Sequence, residues 1–381
     1  MGVNGAKTWI EISRGAMEKN IASLREFLQP TSNFCAVVKA NAYGHGIAEA
    51  ASICRDAGVD LFGVDSIDEA LIVHALAPRA TIFIMGHTVF ERLGDVVQSN
   101  AIQVVYDTDT ILEITKHAGR LQRPARISLK VETGLYRQGV SPRGLENLLD
   151  CIDRAGKWVV VEGIASHFAS SEDYGNPMNA YQMEQFALAV AAVRERGYEP
   201  TFQHIACSAA GMTLPESQGT MTRFGIALYG LWPSKEIKRQ MVLGRKNIEL
   251  TPVLSWKTRV AQIKDVPPGA MIGYAGTHTA NRPLRLAILP VGYYDGYDRA
   301  LSNKGEVLIR GRRCPVIGNV CMNMIMIDVS AVPGVAVDDV ATLIGRDGMH
   351  VVSADDLATA LGTINYEVVT RINPLTPRIV V

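Results

Sequence analysis

The chain has 381 residues, 48% of them hydrophobic, and its 38 basic and 38 acidic residues give a formal net charge of zero. This length is typical of two or three domains, and the composition excludes a disordered chain. The balanced charge gives no support for a nucleic-acid or membrane-surface partner, and no apolar run reaches the 18 residues that would predict a membrane-spanning helix.

The six cysteines are scattered along the chain and never form a C-x-x-C pair. Such spacing predicts neither a metal site nor a disulfide framework, and it favours a reducing, cytoplasmic location. No basic and then apolar signal region precedes the first predicted strand, which agrees with that expectation.

The first predicted strand is Thr8–Ile12, and Ser13 is the candidate N-cap of the helix that follows. Beyond it, short apolar runs alternate with stretches of helical periodicity. Eight runs are predicted to be strands: residues 34–38, 61–64, 81–85, 102–106, 127–131, 159–166, 202–206 and 225–230. Repeated strand and helix units indicate parallel pairing, and about eight of them in roughly 220 residues fit a closed (β/α)8 TIM-type barrel.

A doubly wound sheet is the competing architecture. Gly44-His45-Gly46 resembles the opening of a dinucleotide-binding fingerprint, but the third glycine of that pattern would fall on Glu49. We therefore interpret the match as fortuitous.

The pattern changes after Gly230. Residues 233–247 are rich in lysine and arginine and are predicted to form a solvated linker. Five later β-type runs, broken by glycine and proline, predict a mostly antiparallel β domain: residues 253–260, 284–289, 305–310, 324–329 and 340–344. The predicted domains are thus a barrel over residues 13–245 and a β domain over residues 246–381, which strand 7–12 is expected to join.

Lys39 is the most informative single residue, because it ends the apolar run 34–38 and is predicted to lie in a buried strand. Burial disfavours an ammonium group and would lower the pKa of Lys39, leaving a nucleophilic amine suited to Schiff-base chemistry. The alternative is a lysine that extends its charged end into solvent at the strand end.

Five polar residues share one predicted position, at or just after the carboxyl end of a barrel strand: Lys39, Lys130, His167, Ser208 and Arg223. That face carries the active site in barrel enzymes. Taken singly, Lys130 could be a surface lysine and His167 a satisfied core histidine. The shared position is what favours a functional site.

The stretch from Ala36 to Gly46 resembles the pyridoxal-phosphate signature of the alanine racemase family, and the similarity extends from Trp9 to Arg378. The resemblance implies a barrel followed by a β domain, pyridoxal 5'-phosphate as the cofactor, and Lys39 as its covalent anchor. It also implies an isomerase that makes D-alanine as a peptidoglycan precursor.

The resemblance assigns several groups to the phosphate of the cofactor. Tyr43, Ser208 and Tyr366 match phosphate-contacting residues of the family. The segment Arg223-Phe224-Gly225-Ile226 resembles its most specific motif, in which the backbone amides of Gly225 and Ile226 would also bind the phosphate.

Other matching residues would surround the cofactor ring. Arg223 would face the pyridine nitrogen and keep it unprotonated, which weakens the electron sink and favours simple proton exchange. His167 would pack on the ring and hydrogen-bond the catalytic tyrosine. Arg137 would bond the phenolic oxygen and lie near the substrate carboxylate, and Lys130 matches a lysine that is often carbamylated and would then orient Arg137.

The second base is implied to be Tyr274, in Gly273-Tyr274-Ala275-Gly276. Tyr274 would take the α-proton of an L-amino acid while Lys39 reprotonates the opposite face, and the roles reverse for the D-enantiomer. In the family this tyrosine comes from the partner subunit, so the resemblance implies a homodimer with its active sites at the interface. Taken alone, Tyr274 would be read as a packed aromatic residue of the β domain.

Tyr293, Met322 and Asn323 match substrate-binding positions, but the last lies in a segment that departs from the family. Asn319 stands where alanine racemases usually have arginine, and Asn323 where they usually have aspartate. Losing one charge of each sign alters the field at the substrate entrance, so the preferred amino acid stays open.

Three alternatives to an alanine racemase remain. A basic amino-acid decarboxylase would need a Cys-Asp pair by the substrate and an acidic partner for the pyridine nitrogen, where this chain has Arg223. A non-catalytic cofactor-binding module would lack the β domain that carries Tyr274. A racemase of altered specificity, acting on serine or a longer side chain, agrees with the changes at Asn319 and Asn323.

Overall fold

The computed structural model describes residues 5–244 and 248–381, so the predicted domain boundary between residues 245 and 246 lies outside the described residues. The chain divides into two compact units. We call Met17–Ala42 with Ala50–Thr251 the barrel unit, and Met1–Ala16, Tyr43–Glu49 and Pro252–Val381 together the β unit. No helix among the described residues is long and apolar enough to cross a membrane.

Eight parallel strands form the barrel, and one strand precedes them. In chain order the strands are β1 (Thr8–Ile12), then β2 (Asn33–Val37), β3 (Leu61–Val64), β4 (Thr81–Ile84), β5 (Ile102–Val105), β6 (Ala125–Lys130), β7 (Val159–Ala165), β8 (Phe202–His204) and β9 (Met221–Phe224). The sheet order is β8-β7-β6-β5-β4-β3-β2-β9. Backbone bonds from Thr220 N to Gln203 O (3.0 Å) and from Arg223 N to Ala206 O (3.3 Å) join its two ends, so the predicted barrel is confirmed.

Helices alternate with the barrel strands, as expected for such a barrel, and the last two helices of the chain lie in the β unit. They are α1 (Arg14–Arg25), α2 (Lys39–Tyr43, a left-handed turn), α3 (Ile47–Asp56), α4 (Ile67–Leu76), α5 (Leu93–Ser99), α6 (Thr108–Leu121), α7 (Pro142–Ala155), α8 (Pro177–Glu195), α9 (Ser208–Thr213), α10 (Lys235–Leu243), α11 (Ala354–Leu361) and α12 (Asn365–Thr370). The predicted cap is confirmed, because Ser13 Oγ accepts a hydrogen bond from Ala16 N at 3.3 Å.

The position predicted for the last barrel strand is wrong. The observed strand is β9 (Met221–Phe224), and residues 225–230, where the strand was expected, instead contain the 3-10 segment Ile226–Tyr229. Gly230, with φ at +77°, ends this segment. All four residues of the segment are buried, and an apolar run of this length does not distinguish a buried strand from a buried helical turn.

The predicted linker also needs correction, because helix α10 occupies most of residues 233–247. Ser234 caps the helix by accepting a hydrogen bond from Ile237 N at 3.1 Å. Ile237 and Met241 are buried four residues apart, which gives the basic segment an apolar face.

The strands of the β unit pair mostly antiparallel, as predicted. They are β10 (Leu254–Arg259), β11 (Gln262–Val266), β12 (Met271–Ile272), β13 (His278–Thr279), β14 (Leu284–Leu289), β15 (Glu306–Ile309), β16 (Arg312–Pro315), β17 (Ile325–Asp328), β18 (Val340–Asp347), β19 (His350–Val352) and β20 (Arg378–Val380). One sheet has the order β16-β15-β18-β10-β1-β20, with β19 on β18; the others are β11-β14-β17 and β12-β13.

The N-terminal strand β1 lies between β10 and β20. It pairs antiparallel with β10 and parallel with β20. Along β10, Leu254, Trp256 and Thr258 are buried and alternate with partly exposed residues, the pattern of a strand with one face on the core.

Candidate active site

Lys39 lies two residues beyond the end of β2, and 39% of its side-chain surface is exposed. The expectation that it is buried inside the strand is therefore wrong. The chain reverses directly after it, because Ala40, Asn41 and Ala42 all have φ at +53°. Each such residue costs roughly 1–2 kcal/mol, and strain of this kind clusters at functional sites.

Two carboxylates that sequence analysis missed support this turn. Glu69 accepts hydrogen bonds from Ala40 N (2.7 Å) and Asp65 N (2.8 Å). Asp65 Oδ1 lies 3.6 Å from Lys39 Nζ. Because Asp65 directly follows β3, the strand-end rule that selected Lys39 could have found it; Glu69 lies in the first turn of α4 and resembles an ordinary helix-start residue.

Lys130 ends β6 and is only 7% exposed, so it is not a surface lysine. Burial, followed by the charges of Arg223 and Arg137, holds the pKa of the Lys130 amine well below its usual range. Lys130 is consequently uncharged over a wider pH range than an exposed lysine. Arg137 itself is exposed, in the loop that follows β6.

Arg223 is the next-to-last residue of β9 in the barrel unit and is 6% exposed. Its guanidinium donates to Ile205 O (2.7 Å), Ser166 O (2.9 Å) and His167 Nδ1 (3.3 Å). Because an arginine can only donate, Nδ1 of His167 is the acceptor and the ring proton of the neutral histidine lies on Nε2.

His167 is influenced by several nearby cationic groups. Burial, and then the charges of Arg223, Lys130, Arg137 and Lys39, hold its pKa well below the usual range. Three of the five predicted strand-end residues, Lys39, Lys130 and Arg223, thus act on a fourth, His167, together with Arg137, so the structure brings these groups into one electrostatic neighbourhood.

The His167 backbone is anchored by Gln182, which sequence analysis also missed. Gln182 Nε2 donates to His167 O (2.9 Å) and Thr133 Oγ1 (3.2 Å), and its Oε1 accepts from Ala169 N (2.8 Å). A buried glutamine in the middle of α8 follows no motif, and only burial distinguishes it from other helical glutamines.

Ser208 is buried at the start of α9. Its Oγ accepts hydrogen bonds from Gly225 N (2.9 Å) and Ala227 N (3.4 Å). The hydroxyl and the amides at the start of segment Ile226–Tyr229 therefore face each other, a set of donors typical of phosphate sites. The role of the Gly225 and Ile226 amides in binding phosphate stays a prediction.

In the β unit, the rings of Tyr43 and Tyr366 lie with their centroids 6.2 Å apart. The segment after Tyr43 is held by Arg378, which donates to Gly44 O at 2.9 and 3.2 Å and to Thr376 O at 2.6 Å. Gly44 has φ at +83°, and a Cβ there would lie 1.9 Å from Val369 O, so only glycine fits.

The predicted substrate-side residues of the β unit form a second group. Tyr274 is 74% exposed on the turn between β12 and β13. Tyr293 N donates to Cys321 O at 3.1 Å, which joins its loop to the segment that carries Met322 and Asn323. Asn319 Nδ2 donates to Tyr274 O at 2.9 Å, so the same segment also contacts the Tyr274 turn.

Comparison with known proteins identifies the family. The family models for the N-terminal and C-terminal domains of alanine racemase match residues 12–233 and 253–380. The alanine racemase of Leptospira interrogans serogroup Icterohaemorrhagiae serovar Lai is 39% identical over 98% of this chain and 96% of its own.

Solved structures agree with this assignment. The alanine racemase of Streptomyces coelicolor superposes with a TM-score of 0.92 at 34% identity, over 98% of both chains. That of Bartonella henselae, solved with covalently bound pyridoxal phosphate, has a TM-score of 0.85 at 26% identity, over 99% of this chain and 100% of its own. The chain therefore belongs to the alanine racemase family of pyridoxal-phosphate-dependent isomerases.

Proposed function

We propose that this chain is a pyridoxal 5'-phosphate-dependent racemase that interconverts L-alanine and D-alanine. The observation that carries the proposal is Arg223, a buried arginine bonded to His167 in the electrostatic neighbourhood of Lys39. An arginine facing the pyridine nitrogen leaves a weak electron sink, which supports proton exchange at Cα over decarboxylation.

The residues of the barrel unit fit this cofactor. Lys39 offers a partly exposed amine for covalent attachment. Ser208 with the amides of Gly225 and Ile226 would hold the phosphate, and the Gly225 amide would exchange its bond to Ser208 for one to phosphate. Tyr43 and Tyr366 are proposed as further phosphate contacts. When bound, the cofactor withdraws electrons from Cα of an amino acid and so makes its proton acidic.

Two bases on opposite faces of Cα would then exchange the proton. Tyr274 would take it from the L-enantiomer, and Lys39 would deliver one to the other face; the roles reverse for the D-enantiomer. His167, with its proton on Nε2, would donate a hydrogen bond to the Tyr274 oxygen. Asp65 places a carboxylate oxygen 3.6 Å from Lys39 Nζ.

Arg137 would bind the substrate carboxylate and the phenolic oxygen of the cofactor. We propose that Lys130 holds Arg137 as a carbamate, because burial and two neighbouring guanidinium groups lower the pKa of its amine, which favours reaction with carbon dioxide. Tyr293, Met322 and Asn323 are proposed to line the substrate site.

We further propose a homodimer in which Tyr274 completes the site of the partner subunit. Tyr274 and Met322 are both more than half exposed, which leaves them accessible to a partner subunit. The six cysteines are free thiols, which supports a reducing cytoplasm, where the product would serve as a peptidoglycan precursor.

The second candidate is a racemase of broader or altered specificity, which Asn319 and Asn323 favour because they replace a cation and an anion of the family pattern. The test is chiral chromatography after incubation of the cofactor-loaded protein with single L-amino acids in deuterated water. Conversion of alanine alone, with deuterium at Cα, supports the alanine racemase. Faster conversion of serine or a longer amino acid supports the second candidate, and no exchange with any amino acid contradicts both.

A further inference from the structure

Tyr274 stands on a weak element. It follows the two-residue strand β12 and precedes the two-residue strand β13, which pair as Met271 with Thr279 and Ile272 with His278. Backbone bonds from Gly269 N to Ala280 O (2.7 Å) and from Ala280 N to Ala270 O (2.9 Å) extend the hairpin. A hairpin this short depends on contacts with neighbouring segments for its stability. The turn is also strained, because Ala275 has φ at +62° between two glycines with positive φ.

Asn319 binds this turn at Tyr274 itself, whereas Asn303 Nδ2 binds it three residues later, at Thr277 Oγ1 (3.1 Å). Its carboxamide Nδ2 donates to the carbonyl oxygen of Tyr274 at 2.9 Å. The backbone on both sides of Asn319 is fixed in turn: Gly318 N donates to Asn303 Oδ1 (2.7 Å) and Val320 N to Ser302 Oγ (2.9 Å). Asn319 therefore reaches Tyr274 from an anchored segment.

The two segments also approach closely. A Cβ on Gly273 would lie 2.7 Å from Met326 Cε and 3.5 Å from Asn319 N, and one on Gly318 would lie 2.9 Å from Ile272 O. Glycine at both positions allows the Asn319 side chain to reach the carbonyl next to the strained Ala275 peptide.

We propose that Asn319 is a positioning residue for Tyr274: its donated hydrogen bond fixes the peptide plane after Tyr274 and thereby the direction of the phenol. The inference rests on the proposed function, in which Tyr274 is the base for the L-enantiomer. Misalignment of a base slows only the proton transfer that this base performs. Loss of the Asn319 hydrogen bond should therefore slow removal of the α-proton from L-alanine more than from D-alanine, whose α-proton Lys39 removes.

The test compares four variants as cofactor-loaded enzymes. Asn319→Asp is isosteric but presents an oxygen that cannot donate to the Tyr274 carbonyl, and Asn319→Ala removes the group. Asn319→Gln keeps a carboxamide donor. Asn33→Asp is the matched control, because Asn33 Nδ2 also donates to a backbone carbonyl, Thr220 O, at the same 2.9 Å, but at the start of β2.

Two readouts are measured. Hydrogen–deuterium exchange of the peptide over residues 271–280 reports the order of the turn without depending on activity. Initial rates of Cα-proton wash-out in deuterated water are then measured separately for L-alanine and D-alanine, with the bound-cofactor absorption recorded for every variant.

We expect faster amide exchange in Asn319→Asp and Asn319→Ala, with L-alanine wash-out slowed between about tenfold and a hundredfold and D-alanine wash-out and cofactor absorption little changed. Asn319→Gln should recover most of the L-alanine rate, and Asn33→Asp should match the wild type. Unchanged amide exchange in Asn319→Asp, or equal losses for both enantiomers, would overturn the positioning role. Failure of the wild type itself to exchange alanine would instead refute the proposed function.

Discussion

A buried lysine with a lowered pKa loses its proton more readily than a surface lysine and so differs from it chemically. Lys130 is such a residue, because burial and the charges of Arg223 and Arg137 hold its pKa well below the usual range. Its nitrogen can attack the carbon of carbon dioxide: the N–C bond forms, one carbonyl electron pair moves to oxygen, and the nitrogen releases a proton. The resulting anion would offset two neighbouring cations.

We therefore expect wild-type protein in 13C-labelled bicarbonate to show a carbamate carbon resonance by NMR. Lys130→Met, which keeps the length of the side chain and removes the amine, should lack the resonance. Lys257 provides the control, because it is already paired with Glu11 at 2.7 Å in the β unit and its change to Met should leave the signal intact. A wild-type spectrum without the resonance would contradict carbamylation.

The environment of His204 predicts how the free energy of unfolding depends on pH. It is buried against Phe83, with ring centroids 5.6 Å apart, and neither ring nitrogen has a hydrogen-bond partner among the described residues. Burial, and then the charges of Arg223 and Lys130, hold its pKa well below the usual range. Below about pH 6.5 His204 therefore binds a proton in the unfolded chain but not in the folded chain. As the pH is lowered from that value to the folded pKa, the free energy of unfolding decreases.

Replacing His204 with phenylalanine removes this proton uptake. We expect the stability of His204→Phe relative to wild type to rise by about 1.4 kcal/mol between pH 8 and pH 5.5, because one proton contributes about 1.4 kcal/mol per pH unit. Urea unfolding of both proteins at the two pH values measures the change. Parallel losses in the two proteins would show that His204 does not titrate on unfolding.

At the scale of secondary structure, Arg378 on β20 holds the segment that follows Tyr43. It donates to the carbonyls of Gly44, Asn373 (2.8 Å) and Thr376. A lysine has a single ammonium group and does not span this set of acceptors. Arg378→Lys should therefore cost about 2 kcal/mol, the contribution of a charge-assisted hydrogen bond, and should weaken cofactor binding if Tyr43 contacts the phosphate.

Urea unfolding and a cofactor titration followed by absorption measure the two effects of Arg378→Lys. Arg371→Lys is the matched control, since Arg371 is half exposed and pairs with Asp298 at 2.7 Å on the surface. Surface pairs of this kind contribute less than about 1 kcal/mol. Equal destabilisation by the two changes would contradict the role assigned to Arg378.

The elements that sequence analysis predicted differ from those that it missed in their length and in whether the sequence alone identifies them. Strands β3 and β14 have the predicted bounds because each is a short, mostly apolar run. Strands β12 and β13 have two residues each, too few for periodicity to register. Residues 225–230 were misassigned because an apolar run can be buried as a strand or as a helical turn, and only the packing distinguishes the two. Helix α10 was missed because the apolar pair within its basic segment becomes evident only from the packing.

Over the whole molecule, alternating strands and helices predicted the barrel, and the strand-end rule predicted Lys130, His167 and Arg223. The contacts that hold the His167 backbone and the turn after Lys39 could not be predicted, because Gln182 and Glu69 reach these segments through the fold and not through sequence proximity. The proposed sharing of active sites between subunits is likewise a property of the assembly.

A complementation experiment tests whether sites are shared. Lys39→Ala and Tyr274→Phe should each abolish or nearly abolish racemisation, since each removes one of two bases.

If Lys39 of one subunit works with Tyr274 of the other, a heterodimer of the two variants contains one site with both bases intact and one with neither. The purified heterodimer should then have about half of wild-type activity, because one of its two sites is intact, whereas a randomly paired mixture, of which about half is mixed dimer, should have about a quarter. Co-expression with two affinity tags, followed by a racemisation assay of the doubly purified heterodimer, measures this. Within a single subunit no pairing regenerates both bases, so an inactive heterodimer would place Lys39 and Tyr274 in the same chain's site.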